Sequence, residues 1–278
     1  MKTEDKYLIL ALDHRSSLKK LLNLRYPEAV SNKELIAWKT TALKSLLPLV
    51  THILVDPDSG LPALNTIGKA DHKVILSIEE SSYTENQGER LSRLKYSVKE
   101  LKQLGADLVK LFLYFNPQAQ TAKQQLALIE KVSADCQETG IPFLLEIIPY
   151  PVDGKDPSFD AQKTLLESIN EISRLNYPVD IYKIGFPGDE GCRKVSEMLT
   201  SPWVLLSLGD EFIEYKNNLQ TAIANGASGF AAGRSLWQDF TNWPIERWPE
   251  FFETTVKDRL RTIIDVVKNP AKNTGFPS

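Results

Sequence analysis

The sequence predicts a single (β/α)8 TIM barrel of the α/β class, and three observations carry that reading. Short β-rich runs alternate with longer amphipathic stretches along the whole chain. The runs are continuously apolar, the pattern of parallel strands buried on both faces. The 278 residues contain no long linker, internal repeat or low-complexity stretch, which suits one domain of barrel size. A doubly wound open sheet usually has fewer strands and a glycine-rich first turn. The first turn here, Asp13-His14-Arg15-Ser16-Ser17, has no glycine.

Taken in order, strands are predicted at 7–12 (YLILAL), 52–56 (HILVD), 73–78 (KVILSI), 107–114 (DLVKLFLY), 142–148 (PFLLEII), 179–185 (VDIYKIG), 203–208 (WVLLSL) and 229–233 (GFAAG). Most are dominated by aliphatic and aromatic residues and are of strand length. Amphipathic helices are predicted at 32–47, 87–104, 121–139, 160–175, 190–200, 211–225 and 245–267. Within 87–104, Leu91, Leu94, Val98, Leu101 and Leu104 read as a stripe facing the core. Residues 149–157 form a polar, proline-containing loop after the fifth strand and read as an active-site loop. The barrel is expected to span 1–268. The tail at 269–278 is rich in Pro, Gly, Asn and Lys and has little to bury, which is consistent with disorder.

A composition of 42% hydrophobic and 25% charged residues with a net charge of −3 fits a globular chain with a large core. No run of Lys or Arg builds the basic face that nucleic acid demands. No signal peptide or membrane span is recognisable, so the expected location is the cytoplasm. Cys136 and Cys192 stand in separate helical segments without metal or redox spacing and are expected to be reduced thiols. The five tryptophans, Trp38, Trp203, Trp237, Trp243 and Trp248, read as packing residues. Trp243, Trp248, Phe251 and Phe252 near the C-terminus are the reason to expect a homo-oligomer.

Chemistry is suggested by ionisable residues inside apolar strands: Lys110 in VKLFL, Glu146 in FLLEI and Lys183 in DIYKI. A buried charge is costly unless paired or neutralised, so such positions more often serve reactions than stability. In a barrel, reactive groups sit at the C-terminal strand ends and the loops beyond. Asp13, Asp56, Glu79, Lys110, Glu146, Lys183, Ser207 and Arg234 all fall there. For each alone, a satisfied structural polar group is the competing explanation; their convergence from many strands favours a site. An amine attacks a carbonyl only when neutral, and both an apolar strand and the like charge of Lys110 would favour that form of Lys183. The alternative for Lys183 is a buried ion pair with Glu146. Glu146 could shuttle a proton or serve only as counter-ion, and the two roles are compatible.

After the seventh strand stand Ser207-Leu208-Gly209, and after the eighth Ala232-Gly233-Arg234-Ser235. Loops in those places commonly hold phosphate, with glycine permitting close approach and Arg a forked donor. Of the three histidines only His14 lies past a strand end, so no metal site is expected. There is no Gly-x-Ser-x-Gly elbow, Walker loop or dinucleotide fingerprint, and nothing calls for an organic cofactor.

These segments, in this order, resemble the Schiff-base (class I) aldolases typified by tagatose-1,6-bisphosphate aldolase and sulfofructose-1-phosphate aldolase. The likeness rests on Ala11-Leu12-Asp13-His14-Arg15, the 55–63 segment VDPDSGLPA, GADLVK at 105–110, Leu145-Glu146-Ile147, VDIYK at 179–183, LSLG at 206–209 and AGRSLW at 232–237. Asp13-His14-Arg15, Asn116-Pro117 and FLLE at 143–146 also resemble the 2-deoxy-5-keto-gluconate-6-phosphate aldolase-like domains. The pattern departs from the tagatose-bisphosphate aldolases at His14, where they have Gln, and at Glu80, where they often have Lys. The resemblance implies Lys183 as the imine-forming lysine, Glu146 as acid/base, and Lys110 and Asp13 as supporting groups. His14, Arg15, Asp56 and Glu79 are expected to meet substrate, with Ser207, Gly209, Gly233 and Arg234 on its phosphate.

The expected function is cleavage of a phosphorylated ketose to dihydroxyacetone phosphate, or a similar three-carbon fragment, and an aldehyde. The partner is a small phosphorylated sugar, with neither nucleic acid nor membrane. Two rivals remain: a phosphosugar isomerase or epimerase using Glu146 as base without a covalent lysine, and a non-catalytic phosphosugar-binding protein.

Overall fold

Eight parallel strands close into a barrel in the ring order first, eighth, seventh, sixth, fifth, fourth, third, second. This is seen in a computed structural model whose described residues are 6–86, 89–152 and 158–270. The strands are Tyr7–Leu12, His52–Val55, Lys73–Ser77, Leu108–Tyr114, Phe143–Ile148, Ile181–Ile184, Trp203–Leu206 and Gly229–Ala232. The predicted strands are all present, trimmed by up to two residues at an end. At the closure the backbones pack closely: a Cβ on Gly229 would lie 2.0 Å from the Tyr7 carbonyl oxygen.

The barrel is filled by an apolar layer of Ile9, Ala11, Leu54, Ile75, Leu108, Leu144, Ile181, Val204 and Ala231. Outward-facing strand residues such as Leu10, Ile53, Val109, Leu145 and Ile184 pack beneath the surrounding helices in a second, larger core. Strands covered on both faces in this way must be apolar throughout, which is why their sequences do not alternate. Cys136 and Cys192 are buried free thiols, and burial pushes both up to about 12. No helix among the described residues is long and apolar enough to cross a membrane.

The predicted helix at 87–104 is corrected. Thr84–Asn86 and Glu89–Leu91 pair as antiparallel strands, and the helix covers only Val98–Gln103. Its start is fixed by a capping box in which the Ser97 hydroxyl accepts from the Glu100 N–H and the Glu100 carboxylate accepts from the Ser97 N–H. Leu91 lies in a strand, Leu94 bridges to Glu79, Val98 and Leu101 lie in the helix, and Leu104 is exposed, so the apparent leucine stripe is shared among three different structures. The 245–267 helix is broken into a 3-10 turn at Ile245–Arg247, an α-turn at Trp248–Phe251, a π-turn at Phe252–Val256 and a helix at Lys257–Lys268. Two short helices, Ser16–Leu22 and Gly60–Ile67, follow the first and second strands.

The C-terminal aromatics pack within the chain. Phe251 and Phe252 are fully buried, Phe252 stands 5.2 Å from Trp38, and Trp243 stands 5.4 Å from Phe251. Packing inside one chain therefore accounts for the residues that suggested a homo-oligomer. Of the tail, Asn269 and Pro270 are described and 271–278 lie outside the described residues.

Asp56 turns away from the barrel interior and is completely buried. Its carboxylate pairs with the ammonium of Lys39, from the helix Asn32–Leu46, and accepts from the N–H groups of Asp58, Ser59 and Gly60 at 3.1, 2.8 and 3.0 Å. Lys39 also donates to the Ser59 hydroxyl at 2.9 Å. Burial lowers the Lys39 ammonium from its ordinary range, with the Asp56 charge opposing. Removing one member of a buried pair strands the other. Asp56→Ala is therefore expected to lower unfolding stability by about 3–5 kcal/mol in urea denaturation. A loss below about 1 kcal/mol would show that the pair does not hold this loop.

Candidate active site

Alternation along each strand decides what reaches the mouth of the barrel. Two residues beyond Ala11, Leu108, Leu144, Ile181, Val204 and Ala231 of the apolar plug stand Asp13, Lys110, Glu146, Lys183, Leu206 and Gly233. On the third strand Ile75 is followed by Ser77 and then Glu79. A cavity of about 400 Å³ opens above the plug, and all of these except Ser77 line it. That volume falls in the range of roughly 300–1,000 Å³ found for small-molecule sites.

Two lysines and three carboxylates meet at the cavity floor. Glu146 and Lys183 are register partners on adjacent parallel strands, and Lys183 Nζ lies 2.8 Å from Glu146 Oε2. The contact is an ion pair that misses hydrogen-bond alignment at Oε2. Lys110 Nζ lies 2.7 Å from Asp13 Oδ2, 2.6 Å from Glu79 Oε1 and 3.6 Å from Glu146 Oε2. Lys110 is therefore a caged cation and not the bare like charge expected beside Lys183. Lys110, Lys183 and Glu146 are 2%, 5% and 6% exposed, which puts the cluster beyond free solvation while leaving it open to the cavity.

Electrostatics fixes the charge states at the cage. Burial would lower the Lys110 ammonium, but Asp13, Glu79 and Glu146 together raise it well above the ordinary lysine range. Burial would raise Asp13, but the charges of Lys110 and Lys183 hold it well below the ordinary carboxylate range. Glu79 is braced by the N–H of Phe112, which donates to its Oε2 at 3.1 Å. Arg15 donates from Nη2 to the Glu79 carbonyl at 3.0 Å and lies 3.8 Å from Asp58. Asp58 in turn accepts from Lys95 at 2.7 Å and from Tyr96 at 2.6 Å.

His14 lines the same cavity. Its ring stands edge-on to Trp237 at 5.1 Å, and its Nδ1 is buried without a hydrogen-bond partner. Burial lowers its proton affinity from 6.5 to about 3, with Asp13 opposing and Arg234, Lys183 and Lys39 assisting. Next to it a Cβ on Gly233 would fall 2.8 Å from His14 Cε1 and 2.9 Å from the Ala11 carbonyl oxygen, so this position has no room for a side chain. The Gly233 N–H donates to the Ser207 hydroxyl at 3.3 Å, the Ser235 hydroxyl to the Ser207 carbonyl at 3.0 Å, and Arg234 Nη2 to the Leu208 carbonyl at 2.5 Å. Leu208 and Gly209 both have positive φ, 48° and 95°, which folds the seventh-strand loop back towards Arg234.

Of the residues singled out in the sequence, Asp13, His14, Arg15, Glu79, Lys110, Glu146, Lys183, Ser207, Gly233 and Arg234 line one cavity. Asp56 does not, because its carboxylate is spent on Lys39 and the second-strand loop. Gly209 stands beside the lining residue Leu208 and packs against Arg234 and Gln238. Within the loop expected at 149–157, residues 153–157 lie outside the described residues. Sequence reasoning missed Phe112 and Tyr114, which line the cavity two and four positions beyond Lys110 on the same strand face. It also missed Arg90, whose guanidinium stands 4.8, 4.4 and 5.4 Å from the rings of Tyr83, Tyr114 and Tyr150. Arg90 sits on the strand Glu89–Leu91, within the stretch whose sequence predicts a helix.

The profile of the DeoC/LacD family aldolases matches residues 7–239. The chain is 28% identical over 296 residues to tagatose 1,6-diphosphate aldolase 1 of Enterococcus faecalis, covering 94% of this chain and 90% of that one. It is 25% identical over 299 residues to tagatose 1,6-diphosphate aldolase 2 of Streptococcus pyogenes serotype M1, covering 94% and 91%. Among solved structures, an archaeal fructose 1,6-bisphosphate aldolase superposes with a TM-score of 0.66 at 15% identity, over 96% of this chain and 95% of that one. The fructose-bisphosphate aldolase of Plasmodium falciparum superposes with a TM-score of 0.69 at 14% identity, over 95% and 91%. At such identities the superpositions speak to the fold.

A proton affinity held at about 3 for His14 makes its ring neutral through the working range. The ring resonances of His14 are expected to stay constant in an NMR titration from about pH 8 to about pH 5, where an unperturbed histidine would titrate. A midpoint near 6.5 would contradict the burial argument. The linkage follows in sign: the unfolded chain binds the proton first, so this histidine costs stability as pH falls below about 6.5 and does so increasingly down to about 3.

Proposed function

The chain belongs to the DeoC/LacD family of aldolases and is a carbon–carbon lyase, and from that premise we propose that it cleaves a phosphorylated ketose through an imine on Lys183. The observation that carries this reading is the 2.8 Å approach of Lys183 Nζ to Glu146 Oε2 on the floor of one cavity. An amine able to form an imine and a carboxylate able to move protons are the two groups this cleavage requires. The tagatose 1,6-diphosphate aldolases among the relatives support a sugar phosphate as the substrate class.

Lys183 passes a proton to Glu146, 2.8 Å away, and the neutral amine attacks the ketone carbon. Glu146 then gives that proton to the departing hydroxyl, so that the carbinolamine loses water to leave a protonated imine and Glu146 is again a carboxylate. Glu146 takes the proton from the hydroxyl on the carbon beyond the scissile bond. That C–C bond breaks, its electron pair flows into the iminium to leave an enamine, and the aldehyde departs. The protonated Glu146 returns its proton to the enamine carbon, and water hydrolyses the restored imine to release dihydroxyacetone phosphate, or a similar three-carbon fragment, and free Lys183. Lys110, locked in its charged state by Asp13 and Glu79, stands 3.6 Å from Glu146 and keeps a fixed positive charge beside the carboxylate while protons move. Ser207 and Arg234 supply the hydroxyl and guanidinium donors suited to the phosphate, and Gly233, whose N–H holds the Ser207 hydroxyl, lines the cavity beside them.

Lys183→Ala is expected to reduce cleavage to background, and undiminished turnover in that variant would end the imine mechanism. Glu146→Gln should slow turnover by about 10²–10⁴-fold, the usual worth of a positioned acid/base; an unchanged kcat would remove its role. Arg234→Ala should act chiefly on KM, as loss of a contact made equally in ground and transition states does. A fall in kcat alone would contradict a phosphate contact of that kind.

A further inference from the structure

The two sides of the cavity differ in what they offer a substrate. In the ring of eight strands the seventh and third are four places apart, so their loops face each other across the mouth. The seventh- and eighth-strand side presents Ser207, Gly233 and Arg234. The third-strand side presents Glu80, Ser81, Ser82 and Tyr83, joined by Ser16 and Ser17 from beyond the first strand. The Ser16 and Ser81 hydroxyl oxygens lie 2.6 Å apart, which joins the two segments of this hydroxyl-bearing wall.

The cations near that wall leave little for an anion. Arg15 is engaged by the Glu79 carbonyl at 3.0 Å, the Glu79 carboxylate at 3.6 Å and Asp58 at 3.8 Å. Lys110 is held inside its three carboxylates. Lys20 lines the cavity from the exposed end of its helix, opposite in sign to Glu80. Glu80 is itself exposed and, among the described residues, takes part in no ion pair. A phosphate brought to this wall would meet the carboxylate of Glu80 and the ammonium of Lys20, which offset each other and leave no net positive charge to hold it, whereas a hydroxyl would meet donors and acceptors of its own kind. Like charges set across a contact select against the wrong partner.

We infer that the aldehyde released by this enzyme is uncharged and hydroxylated at its far end, so that the ketose carries one phosphate, and that Glu80 is the residue that turns a second phosphate away. The inference rests on the imine reading of Lys183, and one experiment separates the two. Dihydroxyacetone phosphate is supplied for the reverse condensation with D- and L-glyceraldehyde, or with D- and L-glyceraldehyde 3-phosphate, and its consumption is followed. Better kcat/KM for the uncharged aldehyde by at least about tenfold is expected. Glu80→Lys should move the ratio of phosphorylated to uncharged aldehyde upward by at least about tenfold. Equal use of the two aldehydes, preference for the phosphorylated one, or a ratio unmoved by Glu80→Lys would overturn the inference. Borohydride reduction with dihydroxyacetone phosphate alone reports the imine independently of any aldehyde. Without an adduct the imine reading fails; with an adduct but no condensation of either aldehyde, the far-end inference fails.

Discussion

Lys110 held between Asp13, Glu79 and Glu146 is the interaction on which the rest of the site depends. A lysine that is 2% exposed could not keep its charge unpaired at a cost of several kcal/mol, so the carboxylates are a condition of its presence. The converse also holds: Glu79 and Asp13 are close enough to repel, and the ammonium between them relieves that repulsion. With Lys183 on Glu146 and Arg15 on Glu79, three cations face three anions, and the floor of the cavity is nearly balanced. In the proposed mechanism, a balanced cluster of this kind lets one proton move between Glu146 and a substrate without unsettling its neighbours.

The fold supplies this cluster through arithmetic that a barrel imposes. On the first, fourth, fifth, sixth, seventh and eighth strands a residue of the plug is followed two places later by one that lines the mouth, and the register Glu146 with Lys183 sets the pair side by side without any loop. Positions held by strand backbone are rigid, and rigidity is what the amine and proton partner of the proposed imine mechanism require. The phosphate-suited donors come instead from the loops after strands seven and eight, where Gly233 leaves room beside His14 and Leu208 and Gly209 bend the chain.

Much of this was legible in the sequence because apolar strands and their charged interruptions are strong signals. Lys110, Glu146 and Lys183 stood out since nothing but chemistry or a buried pair explains them in such runs. Asp56 misled, because sequence position past a strand end does not say which way a side chain turns; here Lys39 claims it. Lys39 was itself visible, four residues after Leu35 and three before Ala42 on the buried face of its helix. The 87–104 stretch failed for a different reason: leucines spaced for a helix were shared between a strand, a bridge at Leu94 and a short helix. The Ser97–Glu100 capping box marked the true helix start. The aromatic cage around Arg90 joins three separate segments and leaves no local trace.

The central claim is that the amine of Lys183 becomes covalently bound to a phosphorylated ketone. Borohydride reduction of the enzyme with dihydroxyacetone phosphate, followed by mass mapping of the peptides, tests it most directly. The account predicts one reduced adduct on the peptide that carries Lys183 and none on the peptide that carries Lys110. An adduct on Lys110, or active enzyme that yields no adduct at all, would contradict it.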